Sequence, residues 1–81
     1  MHKSFKKRFK KLPVKIRKQF YERAELFKTD KFNPILNNHS VDAIYTGCRS
    51  INISGDYRAI FWEKGEIANF IKIGTHSELY G

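Results

Sequence analysis

Two of the three histidines, His39 and His76, flank the strand-patterned half of this 81-residue chain, and that half also carries Arg49, Asp56, Arg58 and Tyr80. Histidine is the usual side chain for moving protons near neutral pH, a contribution worth roughly 10²–10⁴-fold in rate. Arginine presents a planar fork that meets two oxygens of a phosphate or phosphorane at once. RNA supplies its own nucleophile, the ribose 2′-OH. An enzyme that cuts it has only to remove that proton, stabilise the phosphorane and protonate the departing 5′ oxygen. This inventory therefore suffices for RNA cleavage without a metal. Each residue also has a plainer reading: His76 as an exposed tail histidine, Asp56 as a turn former, Arg58 as a partner of Asp56 or Glu63, and Tyr80 as a core anchor.

Other chemistries find little support. His2, His39 and His76 are scattered, with no ligand spacing for a metal, and no cofactor is expected. Gly47, Gly55, Gly65 and Gly74 each sit at a turn rather than in a phosphate-cradling loop. No G-x-S-x-G elbow occurs. Cys48, the single cysteine, excludes an internal disulfide, suits a reducing cytoplasm, and reads as a small apolar filler in a strand. No apolar run approaches a membrane span, and the basic start lacks the apolar stretch of a secretory signal, so a cytoplasmic protein is expected.

Charge points to a polyanion. Lys and Arg total 16 against 8 acids, a net +8, and residues 1–31 hold 12 basic and 3 acidic side chains against 4 and 5 in the remainder. RNA, DNA, an acidic protein or an anionic membrane could each answer such a footprint, and a solvated, solubilising helix face is the plainer alternative.

The elements that would position these residues follow from periodicity. Phe5, Phe9 and Leu12 form a helical stripe, with Ser4 as its cap, and Ile16, Phe20, Ala24 and Phe27 form a second after Pro13. Residues 30–38 read as a loop whose Ile35 and Leu36 tuck against the core. The period then changes to two. Ala43-Ile44-Tyr45 is expected as a short strand, followed by a strand around Arg49, Ile51 and Ile53, a hairpin turn at Ser54-Gly55-Asp56, a strand from Tyr57 to Trp62, a turn at residues 63–66 and a last strand ended by Gly74. Thr75 to Gly81 is expected as a polar tail with Leu79 and Tyr80 packing back. The fold class is α+β, a single domain over residues 1–81. An N-terminal helical hairpin packs on a small curved antiparallel sheet of three to four strands, leaving the other sheet face to water or substrate.

The run Gly47-Cys48-Arg49-Ser50-Ile51-Asn52-Ile53-Ser54-Gly55-Asp56-Tyr57-Arg58-Ala59-Ile60 is similar to the central hairpin of the RelE/ParE toxin superfamily. The ending Ile73-Gly74-Thr75-His76-Ser77-Glu78-Leu79-Tyr80-Gly81 resembles the GTH-x-x-L-[FY] close of the YafQ branch, and Phe5-Lys6-Lys7 with Lys10-Lys11-Leu12-Pro13 matches its helical opening. The resemblance implies a type II toxin: a ribosome-dependent endoribonuclease that cuts mRNA in the A site and is held inactive by a cognate acidic antitoxin in a hetero-oligomer. Its implied partners are that antitoxin and the 70S ribosome with its mRNA. Carried over, His76 is the principal acid/base, Asp56 and His39 match other functional positions, and Tyr80 matches a terminal aromatic. Arg49 and Arg58 would hold RNA phosphate, and Lys6, Lys7, Lys10, Lys11, Lys15 and Lys18 would face ribosomal RNA. Two departures stand out. Asn52 replaces a further histidine, removing a proton carrier. The first edge strand typical of the family has no room before the first helix in this sequence, so either the sheet lacks that strand or the start is truncated, and either case would expose a neighbouring strand edge to a partner. Two rivals share the fold: a ParE-type inhibitor of DNA gyrase, and a catalytically weak basic RNA-binding protein.

Overall fold

Burying the rings of Phe5, Phe9 and Phe20 against one face of a sheet organises the N-terminal half. In the computed structural model, which describes residues 2–81, α1 spans Lys3–Phe9 and α2 spans Val14–Thr29. The cap of α1 is His2 rather than Ser4: Ser4 is already helical, and its N–H donates to His2 Nδ1 at 3.1 Å. The helix also stops before Leu12, because Lys11 and Leu12 donate to the Arg8 and Phe9 carbonyls in a tightened last turn. Leu12 is buried all the same. Pro13 then precedes α2 at no hydrogen-bond cost, its carbonyl accepting from Ile16 and Arg17. Ile16 and Phe20 on α2 are buried, with Ala24 and Phe27 half-buried beside them.

The connection after α2 contains one 3-10 turn, Pro34–Leu36, capped by the Asn33 side chain and closed by Asn37 in the left-handed region at φ 46°. Leu36 is fully buried but Ile35 is 55% exposed, so only one of the expected pair reaches the core.

Four antiparallel strands follow in the spatial order β1-β2-β3-β4: β1 His39–Ser40, β2 Arg49–Ser54, β3 Tyr57–Lys64 and β4 Ile67–Thr75. The expected strand at Ala43-Ile44-Tyr45 is not one. Its backbone closes on itself, with Ile44 and Tyr45 both donating to the Val41 carbonyl and the Gly47 N–H donating to Asp42 Oδ1 at 2.6 Å. The first strand is instead the two residues His39 and Ser40, paired with Ser50 and Arg49. The two-residue turn at Gly55-Asp56 uses Gly55 at φ 52°, which a side chain would resist. Register shifts between Asn52 and Ser54 and between Ile60 and Phe61 mark bulges, and bulges bend and twist a sheet into the observed curve.

Alternation sorts the sheet into two faces. Ile51, Ile53, Ala59, Phe61, Phe70 and Ile73 face the helices and form the main core with the Phe rings. The opposite face carries a smaller apolar group of Cys48, Ile60 and Leu79, with Val41, Tyr45, Ile71 and Tyr80 packed around it. Leu79 and Tyr80 do pack back, but as part of α3, His76–Tyr80, a short helix in place of the expected irregular polar tail. Thr75 Oγ1 accepts from the Glu78 N–H while Glu78 Oε1 accepts from the Thr75 N–H, a reciprocal capping box.

Candidate functional site

The sheet face away from α1 and α2 bears a hollow of about 700 Å³ between the 41–47 turn and α3. Register explains its membership. Directly opposed residues share a face, so His39 stands beside Ser50 and Ser50 beside Ile60, while Arg58 stands between Asn52 and Gly74. The hollow is lined by His39, Ser50, Arg58, His76 and Tyr80, with Asn37, Ser40 and Asp42 at its polar margin and Val41, Ala43 and Ile44 supplying an apolar wall. Four residues expected to act together, His39, Arg58, His76 and Tyr80, thus share one cavity.

Each is held differently. His39 Nδ1 lies 2.7 Å from the Asn37 carbonyl oxygen, which can only accept, so Nδ1 carries a proton and Nε2 is the ring nitrogen left free of that bond. His76 is the first residue of α3, and its backbone N–H donates to the Asp56 carbonyl at 3.0 Å. Its ring lies 4.8 Å from that of Tyr80. Arg58 Nη1 donates to the Gly55 carbonyl at 2.7 Å and the Tyr57 carbonyl at 3.0 Å. Those bonds fix the guanidinium beside the hairpin while engaging one nitrogen, and the fork has Nε and Nη2 besides.

The two walls are tied together. Tyr45 O–H donates to the Leu79 carbonyl at 2.6 Å, joining the 41–47 turn to α3. Burial pushes the Tyr45 phenol above its ordinary range, with Tyr80 adding to the rise, so it remains a donor across the physiological range. Cys48 is also pushed up, by burial first and by Asp42 second, which leaves it a protonated filler rather than a nucleophile.

Two expected site residues lie elsewhere. Arg49 shares the parity of Ile51 and Ile53 and points to the helix side. There its Nε donates to Asn38 Oδ1 at 2.7 Å and its guanidinium sits 5.8 Å from the Phe32 ring centroid. Asp56 is exposed in the hairpin turn and contributes its carbonyl to His76 rather than lining the hollow. Asn52 lies two residues from Ser50 on the same face, with its Oδ1 buried and without a protein partner. Lys6, Lys7, Lys10, Lys11, Lys15 and Lys18 are all exposed on the helical layer, a cationic surface separate from the hollow. Ser50, Val41 and Ile44 are site residues that sequence reasoning missed. The one available signal for Ser50 was its place among small and polar residues, Cys48 and Asn52, on the alternate face of β2.

Among the described residues no three His, Cys, Asp or Glu side chains gather where they could hold a metal ion, and no helix is long and apolar enough to cross a membrane. No family model, curated protein or solved structure matches the chain.

Proposed function

We propose that this chain is a metal-independent endoribonuclease of the RelE/YafQ toxin kind, acting on mRNA at the ribosome and restrained by an acidic antitoxin. The observation that carries the reading is the shared hollow: two imidazoles, a guanidinium and a phenol collected on one sheet face, beside a helical layer dense in lysine. The sequence resemblance suggests the family, and the hollow supports it with His39, Arg58, His76 and Tyr80, four of the six site residues that resemblance singles out, Arg49 and Asp56 lying outside.

In the proposed reaction the neutral His39 accepts the 2′-OH proton at Nε2. The 2′ oxygen bonds to phosphorus, the bond from phosphorus to the 5′ oxygen breaks, and His76, entering as the imidazolium, protonates that oxygen. The products are a 2′,3′-cyclic phosphate and a 5′-hydroxyl, with one proton taken and one returned. Arg58 neutralises the phosphorane through the part of its fork not engaged by the hairpin. Tyr80 flanks His76 and holds its ring orientation.

His76→Ala tests this directly. Primer extension on a translated transcript is expected to lose cleavage by roughly 10²–10⁴-fold. Because His76 is exposed, thermal stability should change by no more than about 0.5 kcal/mol. Undiminished cleavage by that variant overturns the assignment. The weak RNA-binding reading draws on Asn52 and on the position of Asp56 outside the hollow; it predicts antitoxin and RNA binding by the parent without cuts.

A further inference from the structure

Residues 3–11 hold six cations, Lys3, Lys6, Lys7, Arg8, Lys10 and Lys11, and no acid. Among the described residues a single acid reaches any of them. It is Glu78 of α3, whose Oε2 lies 2.6 Å from Arg8 Nη2, and this is also the one hydrogen bond that joins α1 to α3. Arg8 lines two neighbouring depressions. One it shares with Lys7 and Lys11, the other with Tyr45, Glu78 and Leu79. It therefore belongs both to the cationic helical layer and to the surroundings of the element that carries His76.

The two partners are not equally free. Glu78 is fixed from its own side. Its Oε1 accepts from the Thr75 N–H at 2.8 Å, and its carboxylate packs over Gly74, where a Cβ would stand 3.1 Å from Oε1. Arg8 has no second hydrogen bond of that kind to hold its side chain, so it is the member able to turn away. The two side chains are 39% and 47% exposed, and an ion pair that open is weak and screened by salt. A phosphodiester is a stronger claimant on Arg8. Lys7 and Lys11 stand one helical turn apart beside it and would concentrate negative charge there. A guanidinium also meets two phosphate oxygens at once, where Glu78 receives a single nitrogen. A phosphate seated between the two lysines thus draws the guanidinium toward them, and the anchored carboxylate cannot follow.

We propose that Arg8 is a phosphate-sensitive latch: a backbone phosphate of RNA held at Lys7 and Lys11 takes Arg8 from Glu78, and α3 loosens. Because the Tyr45 O–H ties α3 to the 41–47 turn, both walls of the hollow loosen together. Access to His76 is then governed from the helical layer, on the opposite side of the sheet from the hollow. Arg8 is a positioning residue, acting through Glu78 on the helix that bears His76. This rests on the reading of the helical layer as RNA-facing and adds to it how occupancy of that layer reaches the hollow.

The test is hydrogen–deuterium exchange of the intact chain, read by NMR at constant ionic strength, with and without a short RNA duplex. A duplex keeps its bases paired and addresses the helical layer through its phosphates. Binding is read from the amide shifts of residues 6–11. In the parent, saturating duplex should speed exchange across residues 76–80 and the 41–47 turn by up to about fivefold, the range of one half-exposed ion pair, with β2 and β3 unchanged. Arg8→Gln, at a half-exposed position where folding is not at stake, should show the faster rate without RNA and respond to it no further. Lys7→Gln with Lys11→Gln should keep the parent's slow rate and blunt the response. Amide shifts at residues 6–11 with exchange in α3 unchanged would overturn the latch and leave the RNA-facing reading standing. Slower exchange, the mark of an Arg8 that bridges phosphate and carboxylate, would do the same. Absence of those shifts would remove the RNA-facing reading and the latch with it.

Discussion

At the scale of single residues, the site's cationic member is the one most constrained by geometry. Arg58 is anchored through Nη1 to two carbonyls of its own hairpin, which orients the plane of the guanidinium. Lysine keeps the charge but neither the fork nor the two-point anchor. Arg58→Lys is therefore expected to retain the fold and most RNA affinity while slowing cleavage by about 10²-fold or more, the scale of losing one aligned donor at a developing charge. Single-turnover kinetics against binding would separate the two effects, and unchanged cleavage would remove Arg58 from the chemistry. Arg49 shows the opposite case. Its period-two companions Ile51 and Ile53 mark it for the helix side of β2, where it bonds Asn38 rather than facing the hollow.

Among the elements, α3 is the least self-sufficient and carries the proposed acid. Five residues cannot hold a helix alone. It stands because Leu79 is buried, because Thr75 and Glu78 cap each other, and because Glu78 Oε2 meets Arg8 of α1 at 2.6 Å. The Thr75 N–H donated to Glu78 holds that carboxyl below the usual carboxylate range, helped by the Thr75 hydroxyl and Arg8 against desolvation. A carboxylate with a depressed folded value stabilises the folded state above its ordinary pKa, about 4.3, and that contribution fades as pH falls through the lower folded value. Amide protection across residues 76–80 is thus expected to weaken below about pH 4 in the parent. In Glu78→Gln it should be weaker at neutral pH and lack the acid step. Cleavage by that variant should fall with little change in RNA affinity. A parent without the acid step would show that the cap does not govern α3. The Thr75-x-x-Glu78 signature was present in the sequence, but its partner Arg8 lies 70 residues away, and no local pattern reveals such a pairing. The 43–45 turn departs from its sequence pattern for a related reason. Three apolar or aromatic residues look like a strand, and only the side chain of Asp42 and the carbonyl of Val41 turn them into a cavity wall.

For the molecule as a whole, the helical hairpin and the three long strands were legible because each buries one face, and burial writes its period into the sequence. Which residues on the other sheet face would converge was less so, since convergence depends on bulges, on the two-residue β1 and on the turn that follows it. The charge asymmetry carries a prediction of its own. Lys7 of α1 and Lys11 in the turn after it flank one shallow depression with Ser4 and Arg8. Each phosphate contact to a single strand contributes about −0.7 to the slope of log affinity against log salt. Replacing both lysines by Gln should lower the magnitude of that slope by about 1.4 in a filter-binding series. An unchanged slope would assign the RNA-facing charge to another part of the helical layer.

The bond from Tyr45 to the Leu79 carbonyl makes one hinge-less frame of two segments that are far apart along the chain. Opening the cleft on either flank must break that link, so the loop and the C-terminal turn should exchange their amide hydrogens for deuterium at a common rate. Tyr45→Phe should uncouple them, and two independent rates in the parent would show that the flanks were never joined.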